Sequence, residues 1–132
     1  MAATYLILPA KRLIIQRFTG PTGTEEIRQL TLRVCADPLF DRSFHTLMDF
    51  TRAALQIGIA EVSMLCHFLF SLAEGGEVGS AAIVATSPMG TALAMLFSKG
   101  LSLFAPSAVF SSHEAAFEFL GVDMSDGSHL GF

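Results

Sequence analysis

Asp49 is the residue whose position most suggests chemistry. It stands near the end of an apolar run, Phe44–Phe50, read as a central strand, and Thr51 and Arg52 follow it at once. Ligands of parallel α/β sheets gather outside the carboxyl ends of the strands. A carboxylate, a hydroxyl and a guanidinium converging there would suit an anion, a small polar ligand or acid–base work. The plainer account is that Asp49 accepts hydrogen bonds from loop amides, or pairs with Arg52, and holds the turn, since a buried carboxylate persists only when satisfied. A second location is Thr86-Ser87-Pro88-Met89-Gly90-Thr91. It reads as a strand-to-helix junction where the free amides of Ser87, Gly90 and Thr91 could hold phosphate or sulfate, or where Ser87 simply caps the helix.

Other chemistry is poorly supplied. His45, His67, His113 and His129 fall in four different segments, without HxH, HxxxH or HExxH spacing, so no metal is expected. Cys35 and Cys66 lie inside apolar helical patterns, with no CxxC; buried free thiols are the expected reading. There is no GxGxxG and no Walker lysine, and asparagine is absent, so no nucleotide cofactor is expected. No catalytic set of nucleophile and base emerges. The expectation is a protein that is not an enzyme and has no cofactor.

The elements that must position these residues follow from periodicity. Tyr5–Pro9 and Arg12–Phe18 are β-rich and close together, as in a hairpin. Gly20-Pro21-Thr22-Gly23 breaks the chain; Thr22 with Glu25 fits a capping box, and Thr24 is a rival cap. Ile27, Leu30 and Val34 then recur at helical spacing as far as Asp37-Pro38. After the strand Phe44–Phe50 comes a helix over Ile59–Glu74 whose polar stripe is only Ser63, His67, Ser71 and Glu74. Val78–Thr86 reads as a strand. Pro88 opens a third helix to about Leu103, polar only at Thr91, Ser98, Lys99 and Ser102. Ser107–Ser111 is the last strand. Ser111 or Ser112 caps a final helix, ended at Leu120 by Gly121.

The order β-β-α-β-α-β-α-β-α predicts an α/β fold: a five-stranded mixed, mainly parallel sheet with four helices, wound as a right-handed βα superhelix. Residues 1–121 form a single domain in this reading, and 122–132 form a tail without periodicity.

Motifs within that order carry a family likeness. The first helix opens Gly-Pro/Thr-Glu-Glu, Asp37-Pro38-Leu39-Phe40 breaks the chain, Leu47-Met48-Asp49-Phe50 closes the third strand, and Ser112–Leu120 is the closing motif. Over residues 4–121 the chain resembles the small bacterial SpoIIAA-like proteins, relatives of the STAS domain (sulfate transporter and anti-sigma-factor antagonist). The resemblance implies a βα superhelix, usually without known activity. Anti-sigma-factor antagonists of the wider group dock a partner kinase through the second helix and a serine at its start, within an Asp-Ser-Ser-Gly type motif. Here the matching stretch runs Gln56-Ile57-Gly58-Ile59-Ala60-Glu61, and no Ser or Thr lies between Arg52 and Val62. The phosphorylation switch is therefore not carried over.

Composition bounds the partners. Of 132 residues, 15% are charged and 52% hydrophobic, against about 25% charged in an average soluble domain. Net charge is −4 and no basic run exceeds Lys11-Arg12, which excludes a nucleic-acid footprint. Residues 61–132 contain one basic side chain, Lys99, and seven acidic ones. The 21 residues between Glu77 and Lys99 carry no formal charge, but the Thr-Ser-Pro cluster at their midpoint argues against a membrane span. The N-terminus lacks the order of a secretory signal, so a cytoplasmic location is expected.

Two helices with slim polar stripes leave more apolar arc than one sheet face can cover. That predicts a protein-interaction or regulatory module, and a homodimer joined through Leu65, Phe68, Leu69, Leu72 and Met95. The alternative is a carrier of a small apolar ligand, anion or nucleotide, with a pocket among Phe68, Phe97, Phe104 and Phe110.

Overall fold

The computed structural model describes residues 2–73 and 78–125. Two strands open the chain, β1 (Ala2–Leu8) and β2 (Leu13–Thr22), joined by a single 3-10 turn at Pro9–Lys11. A connection this short permits only antiparallel pairing, and β1 runs against β2 from Ala2↔Thr19 to Leu8↔Leu13. Every later strand is reached through a helix: α1 (Thr24–Ala36), β3 (His45–Leu55), α2 (Ile59–Ala73), β4 (Ala81–Val84), α3 (Pro88–Leu101), β5 (Ser107–Phe110) and α4 (His113–Leu120). Those strands pair in parallel, and the sheet order is β1-β2-β3-β4-β5. The mixed five-stranded sheet with four α-helices is the architecture expected from the sequence.

The three crossovers step in one direction across the sheet. Crossovers of one hand taken in one direction place their helices on one face, and α1, α2 and α3 share a core there with Phe18, Met48, Phe50 and Ile83. After β5, α4 folds under the opposite face. Its Ala116, Phe117 and Leu120 pack on Leu13, Ile15, Leu47, Ala82 and Val84. Neighbouring residues of one strand therefore serve different cores. Along β3, Leu47 faces α4 while Met48 and Phe50 face the three helices, and period-two alternation puts Asp49 on the α4 side.

Several boundaries differ from the sequence reading: β1 begins at Ala2, and β4 keeps only Ala81–Val84 of the expected Val78–Thr86. Gly20-Pro21-Thr22 does not break the chain: β2 continues beside β3 to Thr22↔Leu55. Beyond Thr19 it has outrun β1 and is an edge, where proline is tolerated. Thr22 is consequently buried in β2, its hydroxyl donating to the Gly20 carbonyl at 3.0 Å. The cap of α1 moves to Gly23, whose amide is accepted by the Glu26 carboxylate, in place of Thr22 or Thr24. Likewise β3 does not stop at Phe50, so Thr51 and Arg52 lie within the strand instead of in a loop after it.

Candidate functional site

Asp49 is the last residue of β3 to pair with β4, opposite Val84; from there β3 is paired with β2 alone. At that point the ladder slips. Arg17 faces Asp49 and Thr19 faces Arg52, so Phe18 opposes both Phe50 and Thr51. Such a bulge frees a strand amide, and the Asp49 carboxylate satisfies it: Oδ1 accepts from Thr51 N at 2.8 Å and from Thr51 Oγ1 at 2.7 Å. Phe18 and Phe50 stack with centroids 4.8 Å apart on the opposite face of the sheet.

The other oxygen of Asp49, Oδ2, lies 2.9 Å from His113 Nε2, at the start of α4. Asp49 is only 7% exposed. Burial pushes its carboxyl up, but the Thr51 hydroxyl, the Thr51 amide and His113 together outweigh that and hold it below the usual aspartate value. An ionised carboxylate can only accept, so His113 Nε2 carries the shared hydrogen. Asp49 thus fastens β3 to α4 across the C-terminal edge of the sheet. Arg17, Arg52 and His113 line a cleft of about 80 Å³ beside it. Asp49 pairs with His113 there and not with Arg52, which is exposed.

Asp49, Thr51 and Arg52 are therefore brought together, but both carboxylate oxygens are already engaged. His113 escaped sequence reasoning because it stands 64 positions away and no local spacing links the two. Only the swing of α4 to the opposite face brings them into reach.

At the second location Ser87 caps α3. Its Oγ accepts from Gly90 N at 3.0 Å, and its carbonyl accepts from Thr91 N at 2.8 Å. The Gly90 and Thr91 amides, which might have met an anion, are committed to the cap. Of the histidines, His45 Nδ1 accepts from Ser80 N between β3 and β4, and His129 lies outside the described residues. Both cysteines are free and half-buried instead of buried as expected, and desolvation pushes each thiol up, which favours the protonated form.

The apolar surface is concentrated elsewhere. Of eleven large hydrophobic side chains exposed among the described residues, seven belong to α2, α3 or the turn after α3. α2 is apolar nearly all round yet fully buries only Val62 and Leu65. In α3 part of the cause lies in the polar stripe: Ser98 points inward, while Lys99 and Ser102 stay exposed. Ser98 is buried and its Oγ lies 3.0 Å from Ser107 Oγ of β5; Ser102 reaches the same hydroxyl at 3.1 Å. With Ser98 turned to β5, α3 and the turn after it present Met95, Leu96 and Leu103 to solvent, Met95 at 60% and Leu103 at 85% exposure.

Between the two helices runs an open trough of about 570 Å³. Its α2 wall is Ile59, Val62, Ser63, Cys66, His67 and Phe70; its α3 wall is Leu96, Lys99, Gly100 and Leu103, with Phe104 at the end. The helices meet at the floor. A Cβ on Gly100 would stand 2.5 Å from Cys66 Sγ, so glycine is what lets them approach this closely.

The five residues expected to form the apolar face sit differently. Leu65 is 3% exposed and belongs to the core. Phe68, Leu69 and Leu72 are half-buried; Phe68 lies beneath the Arg28 guanidinium, 4.9 Å from its ring centroid. Only Met95 projects freely. The four phenylalanines expected to ring a pocket do not enclose a common one. Phe97 is in the core, Phe110 packs on Phe119 over the α4 face, and Phe104 meets Phe70 edge-on at 5.5 Å.

A parallel βα superhelix with one antiparallel strand at its edge, all three crossover helices on one face and α4 beneath, is the SpoIIAA-like fold. The chain is similar in fold to the crystal structure of an uncharacterized protein from the DUF3478 family with a SpoIIAA-like fold, from Shewanella loihica PV-4. The TM-score is 0.55 and the sequence identity 15%, over 90% of this chain and 92% of that one. No family model matches the chain, and no curated protein does. Among the described residues no helix is long and apolar enough to cross a membrane.

Proposed function

We propose that this protein is a non-catalytic regulatory or interaction module, and that it docks partners through the face made by α2 and α3. The observation that carries the reading is the burial of α2: a helix apolar on nearly every side that fully buries only Val62 and Leu65. Apolar patches beyond roughly 300–600 Å² are uncommon on monomers and mark interaction sites. The Asp49 cleft supports the same reading from the other side, because both carboxylate oxygens of Asp49 are engaged by Thr51 and His113. A second copy is one partner the face admits, and exposed Met95 and Leu103 at its rim favour that pairing as a second reading.

A photo-reactive amino acid tests the docking face. Placed at Leu103 in the source cell, it should give discrete cross-linked adducts, to this protein or to another. Placed at Leu39, an exposed leucine outside α2 and α3, it should give none. Equal adducts from both positions, or none from Leu103, would contradict the reading.

A further inference from the structure

We infer that the trough between α2 and α3 receives an amphipathic α-helix whose apolar stripe is flanked by acidic residues. This rests on the docking reading above and names the chemistry of the partner. The first observation is shape. Both walls are helical stripes: Ile59, Cys66 and Phe70 on one side, Leu96, Gly100 and Leu103 on the other. From Ile59 to Phe70 the α2 wall extends about 16 Å, at 1.5 Å per residue, which is three turns. A helix laid in such a trough would anchor through side chains at i, i+3, i+4 and i+7.

The second observation is charge. Lys99 is the sole Lys or Arg in residues 61–132, and the fold brings it to the trough wall. Among the described residues no carboxylate lines the trough and Lys99 makes no ion pair. The rest of this half of the chain is acidic and would repel an acidic partner; the trough would not. An ammonium at the rim of an apolar groove selects a carboxylate at the edge of the incoming stripe and fixes its register.

Other occupants fit less well. A drug-sized ligand normally has about 70–90% of its surface enclosed, whereas the rim residues Ile59 and Leu103 are 73% and 85% exposed. A second copy meeting face to face would set one hollow against another, and the wall residues supply no carboxylate for Lys99.

The test uses a fluorescein-labelled, alanine-based helical peptide of about 15 residues, with leucines at i, i+3, i+4 and i+7 and glutamates beside them. A twin peptide carries lysines in place of the glutamates. Fluorescence anisotropy with the full chain should show saturable binding of the acidic peptide and at least about tenfold weaker binding of the basic one. Lys99→Glu should invert that preference, and Leu103→Asp should weaken both by about tenfold or more. Both side chains are exposed, so thermal melts of the variants should match the parent and separate lost docking from lost folding. No saturable binding, equal binding of the twins, or indifference to Lys99→Glu would overturn the inference. So would a dimer that Leu103→Asp dissociates, or uptake of a long-chain fatty acid with the same Lys99 dependence, which would assign the trough to those occupants. If the peptides fail while Leu103 still cross-links selectively, the docking reading survives and only the helix is wrong; if both fail, both fall.

Discussion

Thr51 donates twice to Asp49 Oδ1 because the ladder slips there and leaves its amide without a strand partner; His113 then secures Oδ2. These contacts hold the Asp49 carboxyl below its usual value despite burial. A group whose pKa is lower in the folded chain binds its proton less tightly there than when unfolded. The stability it contributes is therefore present above the unfolded value, about 3.9, and is lost as pH falls through the folded one. Asp49→Asn should lower stability at neutral pH by about 1–3 kcal/mol, the usual worth of hydrogen bonds to a charged group. The gap between variant and parent in urea melts should then narrow as the pH is taken below about 4. A gap that stays constant into acid would show that the charge of Asp49 contributes nothing. The sequence singled out Asp49 and named loop amides as its possible partners. The pairing with His113 was not legible, because it depends on which face α4 takes.

Among the elements, α2 and α3 show where helical periodicity informs and where it stops. Their slim polar stripes were legible, and so was the surplus of apolar arc. Which arc meets the sheet was not, since a wheel has no absolute orientation. In α3 the buried Ser98 turns inward to Ser107, reversing at that position the usual assumption that polar means outward. In α2 the sheet and α1 take Leu65 and much of Phe68 and Leu69, leaving Ile59 and Phe70 at the surface. Strand ends were misread for a related reason: Gly20-Pro21 looks like a break, but a strand that has outrun its neighbour accommodates both. The contact that fixes the trough is Gly100 on Cys66. Gly100→Ala should cost about 1–3 kcal/mol through overpacking, because the new Cβ would stand 2.5 Å from the sulfur and 3.2 Å from Cys66 Cβ. Adding Cys66→Ala removes the nearer atom and should recover part of the loss, giving a coupling of about 0.5–3 kcal/mol in a double-mutant cycle. Strict additivity would mean that the two helices do not touch there.

Over the whole molecule the two faces of the sheet have different roles. On the face covered by α4, both carboxylate oxygens of Asp49 are engaged by Thr51 and His113. The face covered by α1, α2 and α3 has a complete core but an open outer surface. That division follows from topology: three crossovers in one direction pile three helices on one side, and the middle of the chain supplies apolar residues beyond what the sheet can cover. The element order was legible in the sequence; the asymmetry was not, because it arises only when the helices are assigned to sides. Methionine methyl NMR reads both faces at once. Met95 stands on the outer ridge of α3 at 60% exposure, Met48 lies in the core, and Met124 packs against the α4 side. With the methyl groups labelled in the intact chain and extract of the source cell added, the Met95 signal should shift or broaden while those of Met48 and Met124 stay in place. A response at Met124 with Met95 unmoved would contradict the assignment of the docking face to α2 and α3.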